Sequence, residues 1–297
     1  MIKSSDIKKY AVEQGFDLVG ITAPRQFDTN RHAIEQWIAA GAADSVEYMQ
    51  RYMDLRFNPA NLMEGTRSVV VCAINYKSTL SLHQNHSTLP KIASYALNPD
   101  YHKVIRRTLR ALLRSLQQLH PSLQGRCCVD SAPLLEKQLA VEAGLGWIGR
   151  QSLLITPQFG SYIVLGVLLL NEVVDIYDTP LQGLECGTCR RCIDHCPTAA
   201  ILDNRMVDTR RCISALTIEV DNTTCENLHG WIFGCDQCQS CCPHNQKTPL
   251  ATNPQIKPIF NPITKQQWQE MTPEEFSLRL AATPLKRSGL ERILRNL

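Results

Sequence analysis

Ten of the thirteen cysteines in this 297-residue chain fall between positions 186 and 242, and their spacing limits the fold more than any other feature. Cys186, Cys189, Cys192 and Cys196, the last followed by Pro197, form C-x2-C-x2-C-x3-C-P. In bacterial ferredoxins such a run places three thiolates on one iron–sulfur cubane and sends the fourth to another. Two-residue gaps let a tight loop aim three sulfurs at one cluster, and the proline turns the chain so that the fourth points away. The plainer alternative is a structural zinc knuckle, closed by four ligands around one ion.

Crossed ligation demands a second run, and Cys235, Cys238, Cys241 and Cys242-Pro243 supply it. Two cubanes need eight thiolates. The first run gives four and the second three, so the eighth comes from Cys212, Cys225 or the spare member of the Cys241/Cys242 pair. Because the cysteine before proline is the crossing ligand in the first run, Cys235-x2-Cys238-x3-Cys242-Pro243 mirrors it and leaves Cys241 a bystander. Cys212, within Arg210-Arg211-Cys212-Ile213-Ser214, sits where a short helix could bring it back under the first run. The expected sets are Cys186, Cys189, Cys192 and Cys242 for one cluster, and Cys196, Cys212, Cys235 and Cys238 for the other. Cys72, Cys127 and Cys128 lie in apolar or strand-like surroundings and read as buried free thiols.

Metal spacing of this kind points to a reducing cytoplasm rather than to disulfides. The N-terminus shows no apolar run with a cleavage site and no twin arginine, so export is not expected. Tyr162 to Leu170, the most apolar stretch, is about half a membrane span and reads as a buried strand, so no membrane partner is expected. A net charge of only +3 creates no global field for nucleic acid, although a local basic face remains possible.

Hydrophobic periodicity predicts an α/β rhythm before the cysteines: a helix over 5–14, a strand over 17–21, a helix over 31–39 and a strand over 68–74. Asn98-Pro99 offers a helix start, followed by Val104, Ile105, Leu109, Leu112, Leu113, Leu116 and Leu119 at helical spacing up to His120-Pro121. The opposite face holds Lys103, Arg106, Arg107, Arg110 and Arg114. A short strand ending at Asp130 precedes a helix over 133–143 that stops at Gly144. The expected organisation is an α/β or α+β domain over 1–175, a ferredoxin-like segment with two [4Fe-4S] clusters over 176–250, and a helical basic tail over 251–297. Thr272-Pro273-Glu274-Glu275 opens a helix in that tail by a capping-box pattern.

No G-x-G-x-x-G follows a strand and no P-loop is present, so neither a dinucleotide nor nucleotide hydrolysis is indicated. Asp100-Tyr101-His102 begins like the D-x-H-x-x-G loop that gives a histidine to cobalamin, yet Ile105 stands at the glycine position. On pattern alone, His102 is a helix-start histidine more often than a ligand.

Several strings nevertheless resemble the epoxyqueuosine reductase family: Asp100-Tyr101-His102-Lys103, Val129-Asp130-Ser131-Ala132-Pro133, Gly144-Leu145-Gly146-Trp147-Ile148-Gly149, Phe159-Gly160-Ser161 and Arg211-Cys212-Ile213-Ser214, together with the paired cysteine runs. The resemblance extends from Ser5 to Leu297. It implies a cobalamin-binding domain beside a ferredoxin-like domain, and reduction of epoxyqueuosine to queuosine at the wobble position of tRNA. It differs in three places: Asn98-Pro99 replaces a glycine and a basic residue, Cys241 is extra, and the chain stops at Leu297, about where many members begin a helical-repeat domain.

The resemblance also implies residue roles. Asp130 matches the family's acid; an alternative is that it caps the next helix. To donate a proton at neutral pH it would need a raised pKa from desolvation. Arg56, Ala93, Asp130, Gln151, Leu154, Ser161, Leu165, Ser214 and Asp236 match the cobalamin pocket, where the corrinoid would be held base-off. For the tRNA anticodon stem-loop, Lys286, Arg287, Arg292 and Arg295 in the tail are candidate phosphate contacts, and Arg106, Arg107, Arg110 and Arg114 are secondary ones. A monomer fed by a flavodoxin or ferredoxin is expected. The rivals are a reductive dehalogenase, usually exported with a twin-arginine signal, and a non-catalytic ferredoxin-like electron carrier.

Overall fold

The computed structural model describes residues 1–80, 88–221 and 227–297. Cys225 lies outside them. Four strands, β1 (Leu18–Thr22), β2 (Ser68–Asn75), β4 (Gly125–Cys128) and β7 (Ile163–Leu170), form one sheet in the order β1-β2-β7-β4. Every pairing in it is antiparallel, with Leu18 opposite Ala73, Val71 opposite Val167 and Cys127 opposite Leu168. The alternation of helix and strand in the sequence therefore yields an α+β domain, and Asp130 follows an edge strand.

β2 is buried along its whole length because both faces of the sheet are covered. On one face, Val70, Cys72, Ile74 and Leu168 meet α1 (Ser4–Glu13) and α3 (Tyr101–Leu119) through Ile7, Ile105, Leu109 and Leu112. On the other, Val69, Val71, Val167 and Leu169 meet Phe57 and α4 (Glu136–Glu142) through Leu139 and Ala140. α2 (Asp28–Ala39) buries none of its residues fully. Gly166 lets α3 sit close, since a Cβ there would run into Ile105. The first residues close on the end of this unit, with Ile2 bridging Val174 and Ser4 N–H donating to Asp175 at 2.7 Å.

α3 begins two residues later than its Asn98-Pro99 signal suggests. Asp100 is the cap, accepting from His102 N–H at 3.1 Å. Asn98 is buried and donates to the Ser94 carbonyl. α4 likewise starts at Glu136, three residues beyond Pro133.

The cysteine segment is built from short pieces: α5 (Arg191–Asp194), α6 (Ile213–Ile218), β8 (Trp231–Phe233) and α7 (Gln237–Ser240). β8 pairs in parallel with β3 (Lys91–Ile92), outside the main sheet. A third core joins these strands to the C-terminal residues: Ile92, Leu97, Ile232 and Phe233 pack with Trp268 of α8 (Lys265–Gln269), Phe276 of α9 (Pro273–Arg279) and Leu285 and Ile293 of α10 (Leu285–Arg295). Thr272 caps α9 as its sequence indicates, accepting from Glu275 N–H. Among the described residues no helix is long and apolar enough to cross a membrane.

Candidate active site

Between the sheet domain and the cysteine segment lies a cavity of about 970 Å³. That is near the upper end for small-molecule and cofactor sites. Arg56, Ala93, Asp130, Gln151, Ser161, Ser214 and Asp236 all line it. Leu154 and Leu165 do not: Leu154 pairs with Ile148 across β5 (Trp147–Ile148) and β6 (Leu154–Ile155), Leu165 pairs with Ala73 inside the sheet, and both side chains pack in the second core. Their apolar bodies are taken up by the sheet's own packing.

The lining carries polar atoms that the protein itself leaves unsatisfied. Arg56 Nε, Gln151 Nε2, Trp147 Nε1 and Gln237 Oε1 are buried without a hydrogen-bond partner, and all four residues face the cavity. Such groups cost about 1–3 kcal/mol each unless a ligand meets them. Gly149 makes room for this arrangement, because a Cβ would overlap Gln151 Oε1. A large guest edged with amide groups, as a corrinoid is, fits this mixed donor and acceptor rim. Ser161 is fixed from below: its N–H donates to Asn245 Oδ1 at 2.7 Å, and its Oγ accepts from Asn245 Nδ2 at 2.9 Å. Asp236 is buried and accepts from Ser94 N–H and Oγ. Burial raises its pKa and the Ser94 bonds pull back against that.

The thiols fall into two neighbourhoods. Cys192 feels Cys186 and Cys242, and Cys242 feels Cys186 and Cys189. Cys235 feels Cys212 and Cys196, and Cys238 feels Cys235 and Cys212. Burial first, then the Asp236 charge and these neighbouring thiols, push the Cys235 thiol up to about 12. Binding iron would release the protons held there. The two sets differ in position: Cys196, Cys212, Cys235 and Cys238 line the cavity, whereas Cys186, Cys189, Cys192 and Cys242 do not. Cys241 stands beside the latter set, within electrostatic reach of Cys192, Cys242 and Cys189. Among the described residues no three His, Cys, Asp or Glu side chains converge on the position of a single ion.

Asp130 departs from expectation in its charge. It is half exposed, in left-handed backbone at φ 46°, and its Oδ2 lies 2.9 Å from His102 Nε2. Burial would raise its pKa, but the hydrogen bond and charge of His102, with help from Tyr101 and Arg287, hold it below the usual carboxylate value. The raised acid is Glu136, which accepts the Asp130 N–H at 2.7 Å. Burial and the Asp130 charge push Glu136 up to about 8. Asp130 does not cap α4, whose start has no side-chain cap. Both nitrogens of His102 are committed to carboxylates, Nδ1 to Asp100 at 2.7 Å and Nε2 to Asp130. Neither is free for the ligand role of the D-x-H-x-x-G loop. No spacing signal marks Glu136 or the His102–Asp130 contact; only the fold brings them together.

Of the expected RNA contacts, Lys286 and Arg287 are exposed, and Arg287 is felt by Asp130 and Tyr95 of the cavity lining and by Glu219. Arg292 and Arg295 both make hydrogen bonds within the protein. Arg292 donates to the Ile218 carbonyl and pairs with Asp221, and Arg295 donates to the Val220 carbonyl at 2.9 Å, so both tie α10 to the end of α6.

A cavity bordered by cluster-type thiols on one side and by titrating acids on the other defines an iron–sulfur oxidoreductase. Residues 185–245 match the family model described as 4Fe-4S double cluster binding domain, and residues 56–131 match that described as Epoxyqueuosine reductase QueG, DUF1730. An epoxyqueuosine reductase from Cyclobacterium marinum is 38% identical over 98% of this chain and 94% of its own length. One from Synechococcus sp. is 40% identical over 95% of this chain and 88% of its own. In structure, the epoxyqueuosine reductase of Streptococcus thermophilus superposes with a TM-score of 0.88 at 26% identity, covering 98% of this chain and 79% of that one. That of Bacillus subtilis, described with its catalytic aspartate loop swung out of the active site, gives 0.86 at 25% identity with the same coverage. The chain belongs to the epoxyqueuosine reductase family; it is an oxidoreductase that converts epoxyqueuosine to queuosine and carries two [4Fe-4S] clusters.

Proposed function

We propose that the chain acts on epoxyqueuosine in place, at the wobble position of a tRNA anticodon, with cobalamin bound base-off in the cavity. The observation that carries this reading is that a single cavity is lined by seven of the nine expected pocket residues and by one complete set of four cluster thiols. Cobalamin, when bound, supplies a strong reductant at the epoxide. Arg56, Gln151 and Ser161 hold its rim, and Asp236 is the acid beside it. Cys196, Cys212, Cys235 and Cys238 hold the cluster nearer the cavity, and Cys186, Cys189, Cys192 and Cys242 the one behind, so electrons enter from the rear set.

Loss of the epoxide oxygen as water consumes two electrons and two protons. Asp130 hands protons to the departing oxygen. It lies on a loop, as the catalytic aspartate of the Bacillus subtilis relative does. Lys286 and Arg287 contact the anticodon stem-loop, whose modified base must be splayed out to enter the cavity. The protein is a cytoplasmic monomer served by a small electron carrier such as flavodoxin or ferredoxin.

The test is anaerobic incubation of reconstituted protein with an epoxyqueuosine-bearing stem-loop, cobalamin and reductant, followed by nucleoside analysis. Queuosine should form. An unchanged epoxide with clusters and corrin both bound would reject the substrate. Asp130→Ala should lower turnover by at least about 10²-fold while leaving the corrin spectrum intact.

A further inference from the structure

We propose that His102, clamped between Asp100 and Asp130, is the positioning residue that recharges Asp130 with protons during turnover. This rests on the reading of Asp130 as the donor to the departing oxygen.

The geometry has three parts. Asp100 Oδ1 accepts from the His102 backbone N–H at 3.1 Å and meets its Nδ1 at 2.7 Å, so one carboxylate both starts α3 and fixes the ring. The Tyr101 ring stacks on the imidazole at 4.1 Å between centroids and limits its rotation. The other nitrogen, Nε2, is then aimed at Asp130 Oδ2 at 2.9 Å. Asp100 is itself held in place, its N–H donating to the Ala282 carbonyl at 2.6 Å. A histidine orienting and supplying a neighbouring group, with a carboxylate behind it, is a common acid–base arrangement.

The charged surroundings favour a proton on the ring. Asp100 and Asp130 flank it and Glu136 faces it from α4; Lys103 and Arg287 oppose them, acting on Asp100 and Asp130 respectively. Burial alone would lower the His102 pKa, but the hydrogen bonds and charges of the two carboxylates outweigh it and push the ring up to about 9. At neutral pH the pair is therefore imidazolium and carboxylate, with one proton in store.

The proton balance follows. Each of the two C–O cleavages places one proton on the departing oxygen, which finally leaves as water. For each, the strongly basic oxygen freed by cleavage draws the proton from His102 Nε2 through Asp130 Oδ2, whose carboxylic acid forms only in passing. His102, now neutral, takes another from solvent, with Asp100 stabilising the returning charge. The two electrons come from the clusters as in the family's reaction, so the relay moves protons only.

Two measurements test this. In single turnovers of the loaded enzyme, the wild type should lose rate as pH rises through about 9. Asp100→Asn, which keeps the cap but removes the charge, should move that limb to lower pH. His102→Gln should remove the limb and slow turnover about 10²-fold with cluster and corrin absorption unchanged. Separately, imidazole NMR of the protein without corrin or RNA should show His102 titrating well above 6.5, and Asp130→Asn should bring it down. Wild-type rate and pH profile in His102→Gln, or a His102 titration indifferent to Asp130→Asn, overturns the relay. A wild type that leaves the epoxide untouched would defeat the substrate reading instead, and the NMR titration would still decide the coupling.

Discussion

The sheet domain and the cysteine segment are held together by different physics. The sheet buries β2 completely between two hydrocarbon layers, and α3 alone contributes Val104, Ile105, Leu109, Leu112 and Leu116 to one of them. In the cysteine segment, α5 and α7 are four residues each, and from Gly183 to Cys189 nothing is buried, with Leu184 39% exposed. Helices of one turn do not persist without tertiary support. The lesson is that the first region stores its stability in apolar area, whereas the second, beyond the apolar core it shares through β8, draws on iron–thiolate bonds.

The largest effect that could break this contrast comes from the cluster ligands. Cys238→Ser should halve the bound iron and open residues 183–245 to protease while far-UV circular dichroism of the sheet domain persists; simultaneous melting of both regions would show that they are one cooperative unit. The mirror experiment is Leu109→Ala, which should cost about 2–5 kcal/mol in denaturant midpoint and leave cluster absorption unchanged under native conditions. Between the regions, Lys77 donates to the Asn245 carbonyl at 2.7 Å and to the Thr248 carbonyl at 2.8 Å. Lys77→Met strands these acceptors and should cost about 1–3 kcal/mol, with both regions loosening together in hydrogen exchange.

The smallest effect concerns pH. Because the His102 pKa is raised in the fold, to about 9 from 6.5, its stabilising contribution is complete below pH 6.5 and disappears as pH rises through about 9. Asp130 is depressed, so its share is present above its unfolded value of 3.8 and is lost only as pH falls below that. Melting temperature should therefore decline by a few degrees between pH 6.5 and about 9. His102→Gln should flatten this slope.

Much of this contrast was legible in the sequence, for opposite reasons in the two regions. Periodicity marked α3 and β7 because burial imposes the repeat on their residues, and cysteine spacing marked the two thiol sets because ligand geometry is local. What periodicity does not carry is strand order, so the helix–strand alternation left open whether the sheet was parallel. The cap moved from Asn98 to Asp100 because Asn98 is drawn inward by the Ser94 carbonyl. The basic C-terminal stretch read as a tail, since nothing local says that Leu285 and Ile293 meet Ile92 and Phe233. The carbonyl contacts of its arginines were hidden for the same reason: Arg292 and Arg295 find carbonyls on α6 and beyond, a pairing some 75 residues away in sequence.

The charge on Asp130 was the least legible feature. Desolvation was foreseeable from an apolar pocket, but the cation that reverses it sits 28 positions earlier and arrives only when α3 packs on the sheet. The raised carboxyl that the chemistry invites is present next door, at Glu136.

The bonds joining Ser161, Gln239 and Asn245 have a consequence of their own. They link neutral amides, hydroxyls and backbone groups, all withdrawn from solvent. Ionic strength therefore has little purchase on this seam. Salt strong enough to strip RNA from the surface arginines should leave the floor of the cavity welded to the sulfur-rich segment, so the enzyme can be washed free of its substrate without being taken apart.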